Sequence, residues 1–234
     1  MKIVITGFTD TMPKSRRIAG FVYLPFHIFV IPLFLGILAA YLPGGLSDVT
    51  ANLVYYGMGF VFCLICMWKY LRAAFDVLLD NLATNIFAMF LAYLINLLLS
   101  YLTAGILFAV LGDALVNPNN EAVTDIASRS AQTVLGIAVF IAPVVEEILF
   151  RGLLFGSLAQ KHRRLAYILS IALFAFYHVW QYALGSMDWK LLIYMVEYIP
   201  AGYALAWLYE KTNSIWVPIF LHMLINAISM MVLT

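Results

Sequence analysis

Two adjacent glutamates, Glu146 and Glu147, lie inside a long apolar stretch of this chain, and Arg151 follows one helical turn later. An ionised side chain at the centre of a bilayer costs roughly 3 kcal/mol, and such residues usually mark functional sites. Glu147 and Arg151 have the i, i+4 spacing of an intrahelical ion pair, although a purely structural bridge is an equal alternative. Glu146 is rotated by about 100° from Glu147 on an ideal helix, so it is free for chemistry.

Two further apolar segments carry His178 and His222 near their middle, and Asn226 lies four residues after the second histidine. A glutamate helped by a histidine could take a proton from water, and the resulting hydroxide could attack a peptide carbonyl. A histidine and an asparagine on one helix face could donate hydrogen bonds to the oxyanion. Taken singly, each histidine could instead bond another helix, and the asparagine could be a packing contact.

The composition places these residues in a polytopic membrane protein. Of 234 residues, 65% are hydrophobic and 11% are charged, with a mean hydropathy of +0.96. Soluble domains contain about 25% charged residues. A helix needs roughly 20 apolar residues to cross a bilayer, which predicts an all-α, polytopic transmembrane helix bundle of about seven spans. The predicted spans are residues 19–41, 53–71, 85–111, 133–158, 165–184, 191–209 and 215–233.

The predicted spans place the candidate site residues at a similar depth. Glu146, His178 and His222 lie about 11–14 residues from the basic turns at 161–164 and Lys211, which is roughly 15–22 Å along a helix. The fourth, fifth and seventh spans can therefore bring them into one layer. The sequence predicts a site between these three spans.

Lysine and arginine residues predict the orientation of the bundle. With the N-terminus in the cytoplasm, ten lie on the cytoplasmic side and two, Arg129 and Lys190, lie on the other. This bias predicts a cytoplasmic N-terminus and, with seven spans, a C-terminus on the opposite side. The ten are Lys2, Lys14, Arg16, Arg17, Lys69, Arg72, Lys161, Arg163, Arg164 and Lys211.

Three local features add further expectations. Pro143 lies just before the glutamates and predicts a helix kink, which either lines a site or serves packing alone. Residues 76–81 are predicted to form a short interfacial helix. Glu197 lies inside the sixth predicted span and is a functional candidate, although it could bond a neighbouring tyrosine or line the same cavity. It is kept outside the predicted catalytic set.

Three motifs resemble those of a known family. Residues 146–151 (EEILFR) resemble the E-E-x-x-x-R motif of the CPBP intramembrane proteases. This family contains the CAAX prenyl endopeptidases of the Ras-converting type and their bacteriocin-processing and self-immunity relatives. Residues 174–178 (FAFYH) resemble its F-x-x-x-H motif, and residues 222–226 (HMLIN) resemble its H-x-x-x-N motif. All three occur in the family order, whereas the first half of the chain carries no motif.

The resemblance implies a single integral-membrane protease domain at residues 1–234, with a motif-bearing core at 133–234. The first glutamate would activate water with help from the histidine of the second motif, and the third motif would bind the oxyanion. The second glutamate and the arginine would support this geometry. The implied catalytic set is Glu146, Glu147, Arg151, His178, His222 and Asn226.

The family has also been described as zinc-dependent, and Glu146, His178 and His222 are side chains of the right type for zinc. They are scattered over three predicted helices, and the chain has no H-E-x-x-H pair. We therefore expect a mechanism without a cofactor, with zinc as the alternative.

The expected partners are membrane lipid and a peptide or lipidated peptide substrate, such as a prenylated CAAX peptide, and no nucleic acid. The oligomeric state is left open. Two other functions compete with proteolysis. One is a proton- or ion-coupled transporter that uses Glu146, Glu147 and Glu197. The other is a non-catalytic immunity protein that retains the motifs for stability.

Overall fold

Residues 7–112 and 117–233 are described by the structure, which is a computed structural model. Within these residues every regular element is a helix and no strand is formed. Lys2, one of the predicted cytoplasmic charges, and both ends of the predicted domain 1–234 lie outside the described residues. The predicted all-helical bundle is confirmed.

The first half of the chain forms five α-helices. A short π-helical turn, Phe26–Val30, joins the first two into one continuous rod. The helices are α1 (Lys14–Pro25), α2 (Ile31–Tyr41), α3 (Asp48–Cys66), α4 (Trp68–Asp80) and α5 (Leu82–Leu111).

The second half of the chain is more irregular. Two π-helical segments, Leu135–Ile141 and Ile148–Phe155, flank α7, and a 3₁₀ segment, Trp189–Tyr194, precedes α11. The helices are α6 (Pro118–Val134), α7 (Ala142–Glu147), α8 (Gly156–Ala159), α9 (Arg163–Tyr177), α10 (Trp180–Ser186), α11 (Met195–Thr212) and α12 (Trp216–Leu233).

Four helical stretches of the described chain are long and apolar enough to cross a membrane: Lys14–Tyr41, Asp48–Cys66, Leu82–Val110 and Trp189–Thr212. The number rises to six if two bent pairs each count as one span. These are Pro118–Thr133 with Leu135–Ala159, bent by 91°, and Arg163–Tyr177 with Trp180–Ser186, bent by 43°. The seventh predicted span is an apolar helix at Trp216–Val232, which is shorter than the others.

Some predicted boundaries were wrong. The second span ends at Cys66 rather than at residue 71, because the helix breaks at Met67. The predicted interfacial helix at 76–81 is the end of the longer helix α4. The sharp bend of the fourth span precedes residue 135 instead of falling at Pro143, which lies in the first turn of α7.

The segment that carries the first motif lies at the centre of the bundle. Every residue from 142 to 153 is buried, and α3, α9, α11 and α12 pack around this segment. Large apolar side chains instead cover the outer face of α5, where Leu98 and Tyr101 are 63% and 78% exposed. An apolar outside is what a lipid environment favours, and several helices are apolar and long enough to cross a membrane.

Candidate active site

The two glutamates are presented by α7, and Arg151 lies in the π-helical segment that follows. Such π-helical turns inside helices occur frequently at functional sites. Nη1 of Arg151 lies 2.7 Å from Oε1 of Glu147, and both side chains are fully buried. The structure therefore contains the ion pair predicted from the i, i+4 spacing.

Glu146 meets both histidines at the centre of the bundle. Its Oε2 lies 3.7 Å from Nε2 of His178 and 3.8 Å from Nε2 of His222. His178 follows the last residue of α9, and His222 lies in α12. Only 3% of the surface of Glu146 is exposed. Three helices thus place one carboxylate between two imidazoles.

A backbone hydrogen bond fixes the orientation of His178. Its Nδ1 donates to the carbonyl oxygen of Phe174 at 2.8 Å. Because a carbonyl can only accept, Nδ1 carries a proton, and in the neutral ring Nε2 then presents its lone pair towards Glu146. The ring of Phe174 also lies 4.2 Å from the guanidinium carbon of Arg151, a cation–π contact. Phe174, the first residue of the second motif, therefore supports both polar groups.

Glu147 orients the other histidine. Nδ1 of His222 donates to Oε1 of Glu147 at 2.8 Å, the same oxygen that accepts from Arg151. A carboxylate bonded to one imidazole nitrogen holds the ring in place and stabilises its protonated form. The Glu147–Arg151 ion pair therefore contacts His222, which in turn lies beside Glu146. The sequence did not reveal the contact between Glu147 and His222.

Asn226 lies one turn after His222 and lines a cavity that Glu146 and both histidines also line. Its Nδ2 donates to the carbonyl oxygen of Ala138 at 2.8 Å. A carboxamide nitrogen has two hydrogens, so one N–H is left for another acceptor. Of the six residues predicted as the catalytic set, described contacts join five into one cluster, and Asn226 lines the same cavity as Glu146, His178 and His222.

Three tyrosines that the sequence did not single out extend this cluster. The hydroxyl of Tyr56, on α3, donates to Oε1 of Glu146 at 3.3 Å. The hydroxyl of Tyr177 donates to that of Tyr56 at 3.2 Å, and that of Tyr55 donates to that of Tyr177 at 3.1 Å. Tyrosines are common at membrane interfaces, so their positions in the sequence gave no signal for this role.

A cavity of about 500 Å³ opens onto the cluster. It is lined by Glu146, His178, His222 and Asn226, and also by Glu197 on α11. Cavities of a few hundred Å³ with a few convergent polar groups are typical of ligand sites. The structure therefore places Glu197 in the same cavity as the predicted catalytic residues.

A zinc ion needs several nitrogen or oxygen ligands at about 2.0–2.2 Å from the metal. In the part of the chain that the structure describes, no three His, Cys, Asp or Glu side chains are placed to hold a metal ion. Glu146, His178 and His222, as they stand, do not form a ligand set. No step of the mechanism below passes through a metal.

Comparison with known proteins identifies the family of the motif-bearing region. Residues 129–228, which contain all three motifs, match the family described as Rce1-like, type II CAAX prenyl endopeptidase. A Bacillus subtilis (strain 168) protein named "Putative membrane peptidase YdiL" is 26% identical over 176 residues, which cover 73% of this chain and 67% of that protein. The resemblance to the CPBP proteases is confirmed.

A second relative matches a shorter region. The "UPF0177 protein YxdF" of Lactococcus lactis subsp. lactis (strain IL1403) is 32% identical over 93 residues. The match covers 40% of this chain and 44% of that protein. No solved structure matches the chain significantly.

Proposed function

We propose that this chain, which resembles the type II CAAX prenyl endopeptidases, is an intramembrane endopeptidase that uses water activated by Glu146 and His178. The family match and the peptidase relative support a peptidase. The observation that carries the mechanism is the position of Glu146 Oε2, 3.7 Å and 3.8 Å from two imidazole nitrogens beside a cavity.

The first step is the activation of water. A gap of 3.7 Å is too long for a direct hydrogen bond, but it leaves room for a water molecule that contacts both Glu146 and His178. Such a water donates one hydrogen to the carboxylate and the other to Nε2 of His178. Glu146 removes its proton, and the oxygen forms a bond to the peptide carbonyl carbon while the carbonyl electrons move to oxygen.

The second step is the stabilisation of that oxyanion. His222, whose Nδ1 donates to the Glu147 carboxylate, can donate from Nε2 as an imidazolium. The N–H of Asn226 that does not bond Ala138 is the second donor. Collapse of the intermediate breaks the C–N bond, and the proton held by Glu146 passes to the leaving amine. The products are a carboxylic acid and an amine, and the acid then passes its proton to the amine to give a carboxylate and an ammonium group.

The substrate proposed is a peptide segment at the membrane, with a prenylated CAAX-type peptide as the first form to test. Membrane lipid is proposed to surround both the enzyme and its substrate. We further propose a cytoplasmic N-terminus and a single protease domain for the whole chain. No nucleic acid takes part.

The decisive experiment compares the wild type with Glu146→Gln in membranes of the same host, followed by mass spectrometry of released peptides with and without a chelator. Glu146→Gln keeps the side-chain volume but cannot accept the proton. Glu121→Gln, an exposed position on α6, is the matched control. We expect peptides that depend on Glu146 and are retained with Glu121→Gln.

Three results would change this conclusion. Equal peptide release by wild type and Glu146→Gln would remove the mechanism. Loss of release with the chelator, reversed by zinc, would support the zinc-dependent version. Proton or ion flux in liposomes that depends on Glu146, with no peptide cleaved, would support a transporter instead.

A further inference from the structure

The charges around the cavity are unevenly distributed. The described side chains that line it include two carboxylates, Glu146 and Glu197, and no lysine or arginine. The other polar groups are the imidazoles of His178 and His222, the hydroxyls of serine, threonine and tyrosine, and six neutral carboxamides. The carboxamides belong to Asn52, Asn96, Asn117, Asn119, Asn120 and Asn226. Among the described lining residues, the groups that can carry positive charge are the two imidazoles, and both lie beside Glu146.

Glu197 is connected to the catalytic cluster through two side chains. Its Oε2 accepts a hydrogen bond of 2.6 Å from Nδ2 of Asn117, and the same nitrogen lies 3.2 Å from the hydroxyl of Tyr198. The ring of Tyr198 stacks on the imidazole of His178, with centroids 4.3 Å apart. Glu197 thus lines the same cavity as His178 and is linked to it through Asn117 and Tyr198.

Glu197 differs from the other buried or half-buried acids of the bundle. Glu147 pairs with Arg151, Glu210 with Arg163 and Asp10 with Arg17. Within residues 7–112 and 117–233, Glu197 has no lysine, arginine or histidine within ion-pair distance; its described partner is a neutral amide. An ionised carboxylate at membrane depth is costly unless a cation neutralises it. A cationic group of a bound ligand would supply that neutralisation.

We propose that Glu197, with Asn117 and Tyr198, forms a subsite for a lysine or arginine side chain of the substrate, close to the bond that is cleaved. This inference rests on the proposed peptidase function and names its substrate class. The ammonium or guanidinium donates to Glu197 and stacks against the Tyr198 ring. An acidic side chain or a free terminal carboxylate at this position is disfavoured, because the described residues place no cation beside Glu197 and its own carboxylate would repel it.

The test uses a positional-scanning library of internally quenched peptides that carry lysine, norleucine or glutamate at each position around the bond. Norleucine matches the lysine stem without its charge. We expect lysine at one position to raise kcat/KM by about tenfold over norleucine, through KM, and glutamate there to lower it. Glu197→Gln, which still accepts from Asn117, should abolish the lysine preference, so that kcat/KM becomes equal for lysine and norleucine peptides. Glu121→Gln should retain the lysine preference.

Two results would overturn the subsite. One is that the wild type shows no preference for lysine, or that the preference persists in Glu197→Gln. The other is an equal loss of kcat/KM for lysine and norleucine peptides in Glu197→Gln, which would indicate that Glu197 only anchors Asn117.

Peptide binding to Glu146→Gln, measured by fluorescence anisotropy, separates this inference from the peptidase function. Tighter binding of lysine peptides that needs Glu197, with no cleavage by wild type, would support the subsite and remove the peptidase. Cleavage by the wild type without a preference for charge would support the peptidase function and remove the subsite.

Discussion

The hydroxyl of Tyr56 donates a hydrogen bond to Oε1 of Glu146, 3.3 Å away. Tyr56 belongs to α3, outside the residues that match the Rce1-like family. The two oxygens of the glutamate therefore have different neighbours: Oε1 faces a tyrosine of the first half of the chain, and Oε2 faces His178 and His222. The orientation of the proposed base depends on both halves.

Tyr56→Phe should lower kcat for peptide cleavage by about tenfold and leave KM nearly unchanged, because a hydrogen bond to a charged group contributes about 1.5–3 kcal/mol. Tyr101→Phe removes a hydroxyl from a tyrosine that is 78% exposed on α5 and should have no effect. The measurement is steady-state kinetics in detergent with a cleaved peptide. An unchanged kcat would mean that Tyr56 does not position Glu146.

Gly59 on α3 packs directly against the helix that carries the glutamates. A Cβ at this position would lie 2.9 Å from Cγ1 of Val145 and 3.1 Å from Cε1 of His27, whereas one at Gly57 would meet nothing within 4 Å. Gly59→Ala should destabilise the protein by about 1–3 kcal/mol and reduce activity, because α7 must shift. Gly57→Ala should be neutral or slightly stabilising. Thermal unfolding in detergent distinguishes them, and equal melting temperatures would contradict the close packing.

Arg151→Ala should destabilise the fold by about 3–5 kcal/mol, because it leaves the fully buried Glu147 without its cation. The double variant Glu147→Gln/Arg151→Met removes both charges and should recover most of the thermal stability. It should remain inactive, since His222 would lose the carboxylate that orients it. Recovery of activity together with stability would show that the pair serves the fold alone.

Asn226→Ala should lower kcat by about 10²–10³-fold with little change in KM if the amide stabilises the oxyanion. The lost bond to Ala138 should also cost about 1 kcal/mol of stability. Both quantities are measured on the same preparation, by kinetics and by thermal unfolding. A loss of stability with normal kcat would leave Asn226 as a structural contact between α12 and the π-helical segment before α7.

The predicted orientation can be tested by cysteine labelling in a Cys63→Ala/Cys66→Ala background, since both native cysteines are free. Ser186 and Lys161 are exposed at opposite ends of the α9–α10 pair. A membrane-impermeant maleimide added to intact cells should label Ser186→Cys, whereas Lys161→Cys should react only after permeabilisation. The opposite pattern would place the N-terminus outside.

Much of the site could be predicted because membrane insertion makes polar residues informative. Ionised groups in apolar segments are costly, so Glu146, Glu147 and Arg151 stand out without any structural information. Chain distances then predicted that His178 and His222 reach the same depth. The three motifs indicated the resemblance to the CPBP proteases, and the family match over residues 129–228 confirms this resemblance.

The local irregularities could not be predicted, because they depend on packing between helices. Pro143 predicted a kink, yet it lies in the first turn of α7, where its missing N–H is tolerated. The chain instead leaves helical geometry at Ser130, with φ −156° and ψ 72°. Tyr56 and Glu197 contact residues about 80–90 positions away, and such contacts leave no periodic signal in a single sequence.

The hydrogen bond from α3 to α7 has a consequence for dissecting the protein. A fragment that starts near residue 129 would retain every motif residue but lack Tyr56, which contacts Glu146, and Asn117, which contacts Glu197. Recombinant truncation to the matched region should thus give an incomplete catalyst. Restoring its turnover would require co-expression of the missing helices as a separate polypeptide.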